Sequence, residues 1–509
     1  MKHERRKVGV WSVVAVMCMA LMISQSSAGE SATASLEGPS IEDPDRVEES
    51  IDEEEVSAEF PALTEAIDDF LNSSAMRGVD VGIHVQDLMS EEVLYTHEAD
   101  RLMNPASNMK LVTAAAVLDE LGPHHTLRTE LSTESVENGK IDNLYIRGEG
   151  EAFLLFRDVL DWARQLRVQG IDTIGGDLVI DDGVFDEAYL PPGFDLRDEG
   201  AAWRSPIGAV SVNFNAVTAI VEPGERPGVA PKVRIDPPNR YVQIENRAQT
   251  TTGSLQRIQV DSKAGPQGTV ITVEGSIGAG ASEVRQRRRI NDPPAFAGAV
   301  VAEAMDMMGI EFEGQVRRGV TPSDRERLFR HESSPLVDTV SAMNKWSNNF
   351  MAEQLLRLLG TEANGQPSTW EASRARMRET LDRRELLPGQ YEIHNGSGLW
   401  DGNLLSARQL VVLLARMQRH PFGPEFVSSL PIAGVDGTLR HRLRGEATTG
   451  NVRAKTGTLR NVTALSGYLT TASGRQVAFS VIFNDPPRRA WFYRDEQDKI
   501  VEMIAEFEG

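Results

Sequence analysis

Among its 509 residues this chain has one cysteine and few aromatics (6%), and its 53 basic residues fall well short of its 75 acidic ones. Each shortage excludes something. The single cysteine, Cys18, lies in an N-terminal apolar run, so the rest of the chain is built without disulfides and must draw stability from core size. A formal net charge of −22 argues against nucleic acid and anionic lipid as partners. The apolar run Val8–Ile23 falls short of the roughly 20 residues a membrane span needs. It follows the basic head Lys2, Arg5, Arg6 and Lys7 and precedes the small residues Ser26-Ser27-Ala28, the pattern of a secretory signal cut after Ala28. No stable span is then expected in the mature chain. Removing residues 1–28 takes out four basic residues and Glu4, moving the net charge to −25 (−22 − 3).

What is present begins with a tether. Residues 29–59 are rich in Ser, Pro, Asp and Glu, as in Asp52-Glu53-Glu54-Glu55, and bury too little to order themselves. Folded sequence starts near Phe60 with a helical pattern through Leu63, Ile67 and Phe70, followed by strand-like stretches at Val79–Asp87 and Glu92–Thr96.

Three short motifs then stand in order: Ser107-Asn108-Met109-Lys110, Ser347-Asn348-Asn349 and Lys455-Thr456-Gly457. Together they form the S-x-x-K, S-x-N and K-T-G set of serine enzymes that acylate without a histidine. Asn104-Pro105 breaks the chain before Ser107, and an apolar helix runs on to Gly122-Pro123, so Lys110 lies one turn beyond Ser107 on the same face. A lysine desolvated there loses its charge readily and becomes a base for the serine. The free amides of the helix start favour the developing anion. A second S-x-N, Ser211-Val212-Asn213, falls in an alternating, strand-like stretch, whereas Ser347 lies between the helical patterns Leu336–Met343 and Phe350–Leu359, where a loop can aim side chains into a cleft. Lys455-Thr456-Gly457 opens a strand in which Gly457 permits close backbone approach, and Val462–Leu469, Gln476–Asn484 and a helix from Arg494 to Phe507 close the chain.

With these motifs, and with Gly176-Asp177-Leu178-Val179-Ile180-Asp181, Asn291-Asp292-Pro293, Asn395-Gly396-Ser397-Gly398-Leu399 and Gly434-Val435-Asp436-Gly437-Thr438-Leu439, the chain resembles the low-molecular-mass class C penicillin-binding proteins, D-alanyl-D-alanine carboxypeptidase/endopeptidases. The resemblance implies an α/β (α+β) fold: a serine β-lactamase/transpeptidase-like catalytic domain with an antiparallel sheet flanked by helices, interrupted by a largely β accessory insertion. Spacing supports the interruption, because 240 residues (347 − 107) separate the first two serines and the stretch between is rich in alternating patterns. The expected division is 1–28 signal, 29–59 tether, 60–126 first catalytic part, 127–325 insertion and 326–509 second catalytic part.

The implied chemistry is peptidoglycan trimming in the periplasm or another exported, wall-associated location. Ser107 is the nucleophile, Lys110 its base, Ser347 a proton relay and Asn349 an orienting group. Lys455, Thr456, Gly457 and Thr458 hold the substrate, with the amides of Ser107 and Thr458 as oxyanion hole. Stem peptides are the expected partners and β-lactam antibiotics covalent inhibitors; no cofactor and no metal is required. A β-lactamase or esterase on the same core and a non-catalytic wall-binding relative are the alternatives.

Other features read more plainly. His124-His125 lacks the spacing of metal ligands, Ser397 lacks the outer glycines of a nucleophile elbow, and Arg285, Arg287, Arg288 and Arg289 read as the solvated side of a strand. Asp181 matches a position the family places near the cleft mouth, or is a turn residue. Asn395 stands where the family usually has Asp, Trp400 replaces a small polar residue, and the aromatic segment before Ser211 is reduced to Trp203. These departures bear on substrate contacts rather than on acylation.

Overall fold

Strands from both ends of the sequence meet in one sheet. A computed structural model describes residues 59–195, 200–361 and 367–509; the expected signal, Cys18 and nearly all of the tether lie outside the described residues. The sheet has the antiparallel order Arg453–Thr458, Val462–Thr470, Gln476–Asn484, Asp80–Asp87, Val93–His97. Side chains alternate across it as a pleat requires. Val477, Phe479, Val481 and Phe483 enter the core shared with the helices Pro61–Leu71 and Arg494–Ala505, while Ala478 and Ile482 face the core around the helix Met109–Leu121. That helix is buried on every side from Met109 to Leu118, as its nearly unbroken apolar sequence demands, and it stops at Gly122 in a conformation open to glycine (φ 77°).

The intervening sequence folds on its own core. Arg128–Thr133 pairs with Leu144–Gly148 and with Glu326–Glu332, so the chain just after residue 127 and the chain just after residue 325 lie side by side. Further sheets are built from 136–141, 173–174 and 311–312, from 216–222, 232–236 and 284–289, and from 242–278. Helices Phe156–Val168 and Pro293–Met307 pack into the same apolar cluster, which includes Trp162, Phe296 and Val217.

Three readings need correction. Ser211-Val212-Asn213 is not a strand: Asn213, Phe214 and Asn215 take positive φ (52°, 63° and 48°) in a tight turn, and buried Ser211 Oγ donates to the Gly208 carbonyl at 2.7 Å. The Arg285–Arg289 run is not simply a solvated face. Arg285 is exposed, but the guanidiniums of Arg287, Arg288 and Arg289 donate to the backbone carbonyls of Asn213, Val260 and Arg204, two in 3-10 turns and one on a strand, since backbone carbonyls withdrawn from water need donors. Asp181 is not a turn residue but ends the strand Leu178–Asp181, where it pairs opposite Arg147 and its buried carboxylate accepts from the amides of Gly183 (3.2 Å) and Thr321 (2.7 Å).

Candidate active site

Ser107 lies in a short 3-10 turn, Ala106–Asn108, that leads straight into the Met109–Leu121 helix. The preceding Ala106 is held at φ 45°, a conformation costly to a residue with a Cβ. Ser107 is half-buried and Lys110 wholly buried, with Lys110 Nζ 3.1 Å from Ser107 Oγ. The amine has two further neighbours: Asn349 Oδ1 at 2.8 Å and the Ser397 carbonyl at 2.7 Å. Both are acceptors. The Asn349 orientation is set by its own amide nitrogen, which donates to the Trp203 carbonyl at 3.1 Å. A neutral amine therefore spends its two hydrogens on Asn349 and Ser397 and turns its lone pair to the Ser107 hydroxyl. Desolvation brings the Lys110 pKa down to about 7, although the nearby Glu353 charge acts the other way.

Each residue of Ser347-Asn348-Asn349 has a separate structural task. Ser347 ends the helix Leu336–Trp346 in the left-handed conformation (φ 53°, ψ 42°). Asn348 caps the next helix, Asn349–Leu359, by accepting from the Met351 amide at 3.1 Å. Asn349 is then its first residue and faces Lys110.

Lys455 lies on the edge strand of the sheet, fully buried, donating to Ser347 Oγ at 2.8 Å and to the Thr456 carbonyl at 2.7 Å. Burial, and then the charge of Lys110, hold its pKa well below the ordinary lysine value. Thr456 Oγ1 donates to Thr438 Oγ1 at 2.8 Å, and Arg494 Nε donates to Thr458 Oγ1 at 3.3 Å. A Cβ on Gly457 would sit 3.0 Å from the Ser107 amide nitrogen and from the Pro105 carbonyl, so this strand touches the serine turn only because the side chain is missing. With its amide turned to satisfy both neighbours, Asn108 ties the two motifs together, donating to the Lys455 carbonyl at 2.9 Å and accepting from Ser466 Oγ at 2.7 Å.

All eight residues named from the sequence thus converge around one serine. Others were missed. Ser397 contributes a carbonyl, Trp203 another, and Glu353 is a fully buried carboxylate one turn beyond Asn349. Asn395, assigned above to substrate contacts, is scaffold instead: it is buried, accepts from the Gly398 amide at 2.9 Å and donates to the Pro192 carbonyl at 3.0 Å. Trp400 stacks edge-on against His394 at 4.6 Å. His124 and His125 lie apart from the site, and among the described residues no cluster of His, Cys, Asp and Glu is placed to hold a metal ion.

A serine beside a buried, desolvated lysine, on an antiparallel sheet flanked by helices, defines the class of penicillin-sensitive serine peptidases and their β-lactamase kin. Comparison with known proteins narrows this. The sequence pattern of the D-Ala-D-Ala carboxypeptidase 3 (S13) family matches residues 63–507. A D-alanyl-D-alanine carboxypeptidase of Actinomadura sp. (strain R39) is 34% identical over 468 residues, 89% of this chain and 86% of that one. D-alanyl-D-alanine carboxypeptidase DacB of Haemophilus influenzae is 26% identical, covering 84% and 90%. The crystal structure of penicillin binding protein 4 (dacB) from Haemophilus influenzae superposes with a TM-score of 0.76 at 24% identity, covering 87% of this chain and 99% of that one. The chain belongs to the S13 family and is a serine-type D-alanyl-D-alanine carboxypeptidase.

Proposed function

We propose that this enzyme hydrolyses peptidoglycan stem peptides through an acyl-enzyme on Ser107, and that residues 127–325 are an accessory insertion flanking its cleft. Lys110 accepts the Ser107 proton as the serine oxygen attacks the carbonyl of the penultimate D-Ala. The Ser107 and Thr458 amides receive the oxyanion. Lys455, Thr456 and Thr458 bind the terminal carboxylate, with Gly457 allowing the strand its approach. Ser347, hydrogen-bonded to Lys455, relays to the departing D-Ala amine the proton that Lys110 took from Ser107, which leaves Lys110 neutral again, and Asn349 orients both Lys110 and substrate. Water then releases the trimmed peptide. Cross-linked peptides that end in a carboxylate fit the same description, so endopeptidase activity is included. The observation that carries this reading is the Lys110 amine, its hydrogens engaged by two acceptors and its third direction facing Ser107.

β-Lactams acylate the same serine in this scheme, and the related Haemophilus influenzae penicillin binding protein 4 has a structure complexed with a novel β-lactam. The wall substrate and the signal-like N-terminus support export to the periplasm or cell wall. No helix among the described residues is long and apolar enough to cross a membrane.

The test is to incubate the protein with labelled penicillin and with a pentapeptide ending in D-Ala-D-Ala, beside Ser107→Ala. A stable adduct and D-Ala release, both lost in the variant, are expected. Rapid turnover of penicillin would point to a β-lactamase, and absence of both signals to a non-catalytic relative.

A further inference from the structure

Glu353 belongs to none of the motifs, yet it is completely buried beside the reacting amine. It follows Asn349 by one helical turn, which places both side chains on the face that meets Lys110. Its Oε1 accepts from the Ser397 amide at 2.8 Å and its Oε2 from the Gly396 amide at 3.1 Å. Those amides belong to the loop whose Ser397 carbonyl receives Lys110 Nζ at 2.7 Å. Thr113, on the Lys110 helix, holds the same loop by donating to the Gly396 carbonyl at 2.8 Å.

Packing alone does not call for a carboxylate here. A buried carboxylate is costly unless it is hydrogen-bonded and paired. Burial raises the Glu353 pKa, opposed by hydrogen bonding with the Ser397 side chain, by the two amide bonds and by Lys110. The groups that face Lys110 are Ser107 on its own turn, Asn349 and Glu353 on the neighbouring helix, the Ser397 carbonyl, and Lys455 on the edge strand. With Lys110 neutral and Lys455 charged, one carboxylate balances the buried charges. When Lys110 takes the serine proton, Glu353 faces the new ammonium.

We propose that Glu353 is a positioning residue for the proton acceptor: its carboxylate grips the Gly396 and Ser397 amides so that the Ser397 carbonyl orients the Lys110 amine, and its charge steadies that amine once protonated. The proposal rests on Lys110 being the base. It assigns to one carboxylate a geometric task and an electrostatic one, and substitution separates them.

The experiment compares the full-length protein with Glu353→Gln and Glu353→Asp. Acylation by a fluorescent penicillin and D-Ala release are followed from well below to well above pH 7, with thermal unfolding alongside. Glu353→Gln keeps an acceptor for one amide but removes the charge that raises the Lys110 pKa. The ascending limb of its acylation profile should move to lower pH, and its plateau should fall by up to about a hundredfold as the amine loses its alignment. Glu353→Asp keeps the charge on a shorter stem, so its limb should move less than that of Gln while its plateau also falls. The proposal is overturned if the Gln variant keeps the wild-type limb and plateau, or if Asp shifts the limb as far as Gln. Should Gln prove too unstable to assay, an Asp variant with both limb and plateau unchanged overturns it equally. Failure of the wild type to be acylated would instead refute the functional reading beneath it.

Discussion

The Lys110 amine and the Ser397 carbonyl oxygen lie 2.7 Å apart although 287 residues separate them in the chain. With Asn349 Oδ1 on a second side, this contact leaves the amine one direction in which to act, toward Ser107. The same three neighbours suit the ammonium formed after proton transfer, since all three can then accept. Little reorganisation is needed between the two states, and that is the sense in which the site is preorganised.

The pH dependence of acylation follows. Lys110 works as a base only when neutral, and with a pKa of about 7 its neutral fraction grows as pH rises through that value. Acylation should therefore climb through neutrality, far below the ordinary lysine range. Lys455 must be charged to hold a carboxylate, and burial lowers its pKa, so binding should weaken at high pH earlier than a solvent-exposed lysine would dictate. Asn349→Asp places a carboxylate against Lys110, raises its pKa and should move the ascending limb to higher pH. A rate of penicillin acylation that stays flat across neutrality in the wild type would refute the assignment of Lys110.

Ser347 pays for its place with a left-handed backbone, φ 53°. Substitution by Ala removes the hydroxyl and keeps the strain, whereas substitution by Gly removes both. Both variants should lose most D-Ala release through loss of the relay. Ser347→Gly should nevertheless be the more stable by about 1 kcal/mol, measured by denaturant unfolding. Equal stabilities would mean that the helix terminus relaxes out of the left-handed region in the Ala variant.

Gly398 combines a positive φ of 75° with a backbone approach so close that a Cβ would lie 1.8 Å from the Ala106 carbonyl. Gly398→Ala should push the 395–398 loop off the serine turn. The expected outcome is a fall in acylation rate of at least about tenfold, because the Ser397 carbonyl leaves Lys110, together with a loss of a few kcal/mol in stability. Wild-type acylation kinetics in a folded Gly398→Ala protein would show that the loop contact is dispensable.

The motif residues were legible because their chemistry resides in side chains at short, regular spacings. Ser107 and Lys110 share a face by helical period, and Ser347 was separable from Ser211 by its place between two helices. The reason first given against Ser211 was nonetheless incomplete: its stretch alternates like a strand, but consecutive positive φ values turn it into a tight loop, which periodicity cannot register. Ser397 and Trp203 act through backbone carbonyls, which every residue owns and no sequence pattern marks. Glu353 did leave a trace, a carboxylate four positions after Asn349 within the mostly apolar segment Phe350–Leu359. Its meaning depended on knowing what that face touches. The arginines of 285–289 misled for a related reason: charge suggests solvent, but carbonyls of two 3-10 turns and one strand claimed three of the guanidiniums.

By itself, then, the order of three motifs determined the kind of chemistry, and the long gap after Ser107 carried the proposal that other structure is threaded through the catalytic body. Both are one-dimensional facts, carried by spacing along the chain. Only the tertiary structure decided how the base is aimed and charged. That depends on backbone atoms and a buried carboxylate brought together from the helix Asn349–Leu359, the loop at 395–398 and the 3-10 turn at Trp203. Their distances are set by packing between distant segments, and spacing along the sequence does not encode them.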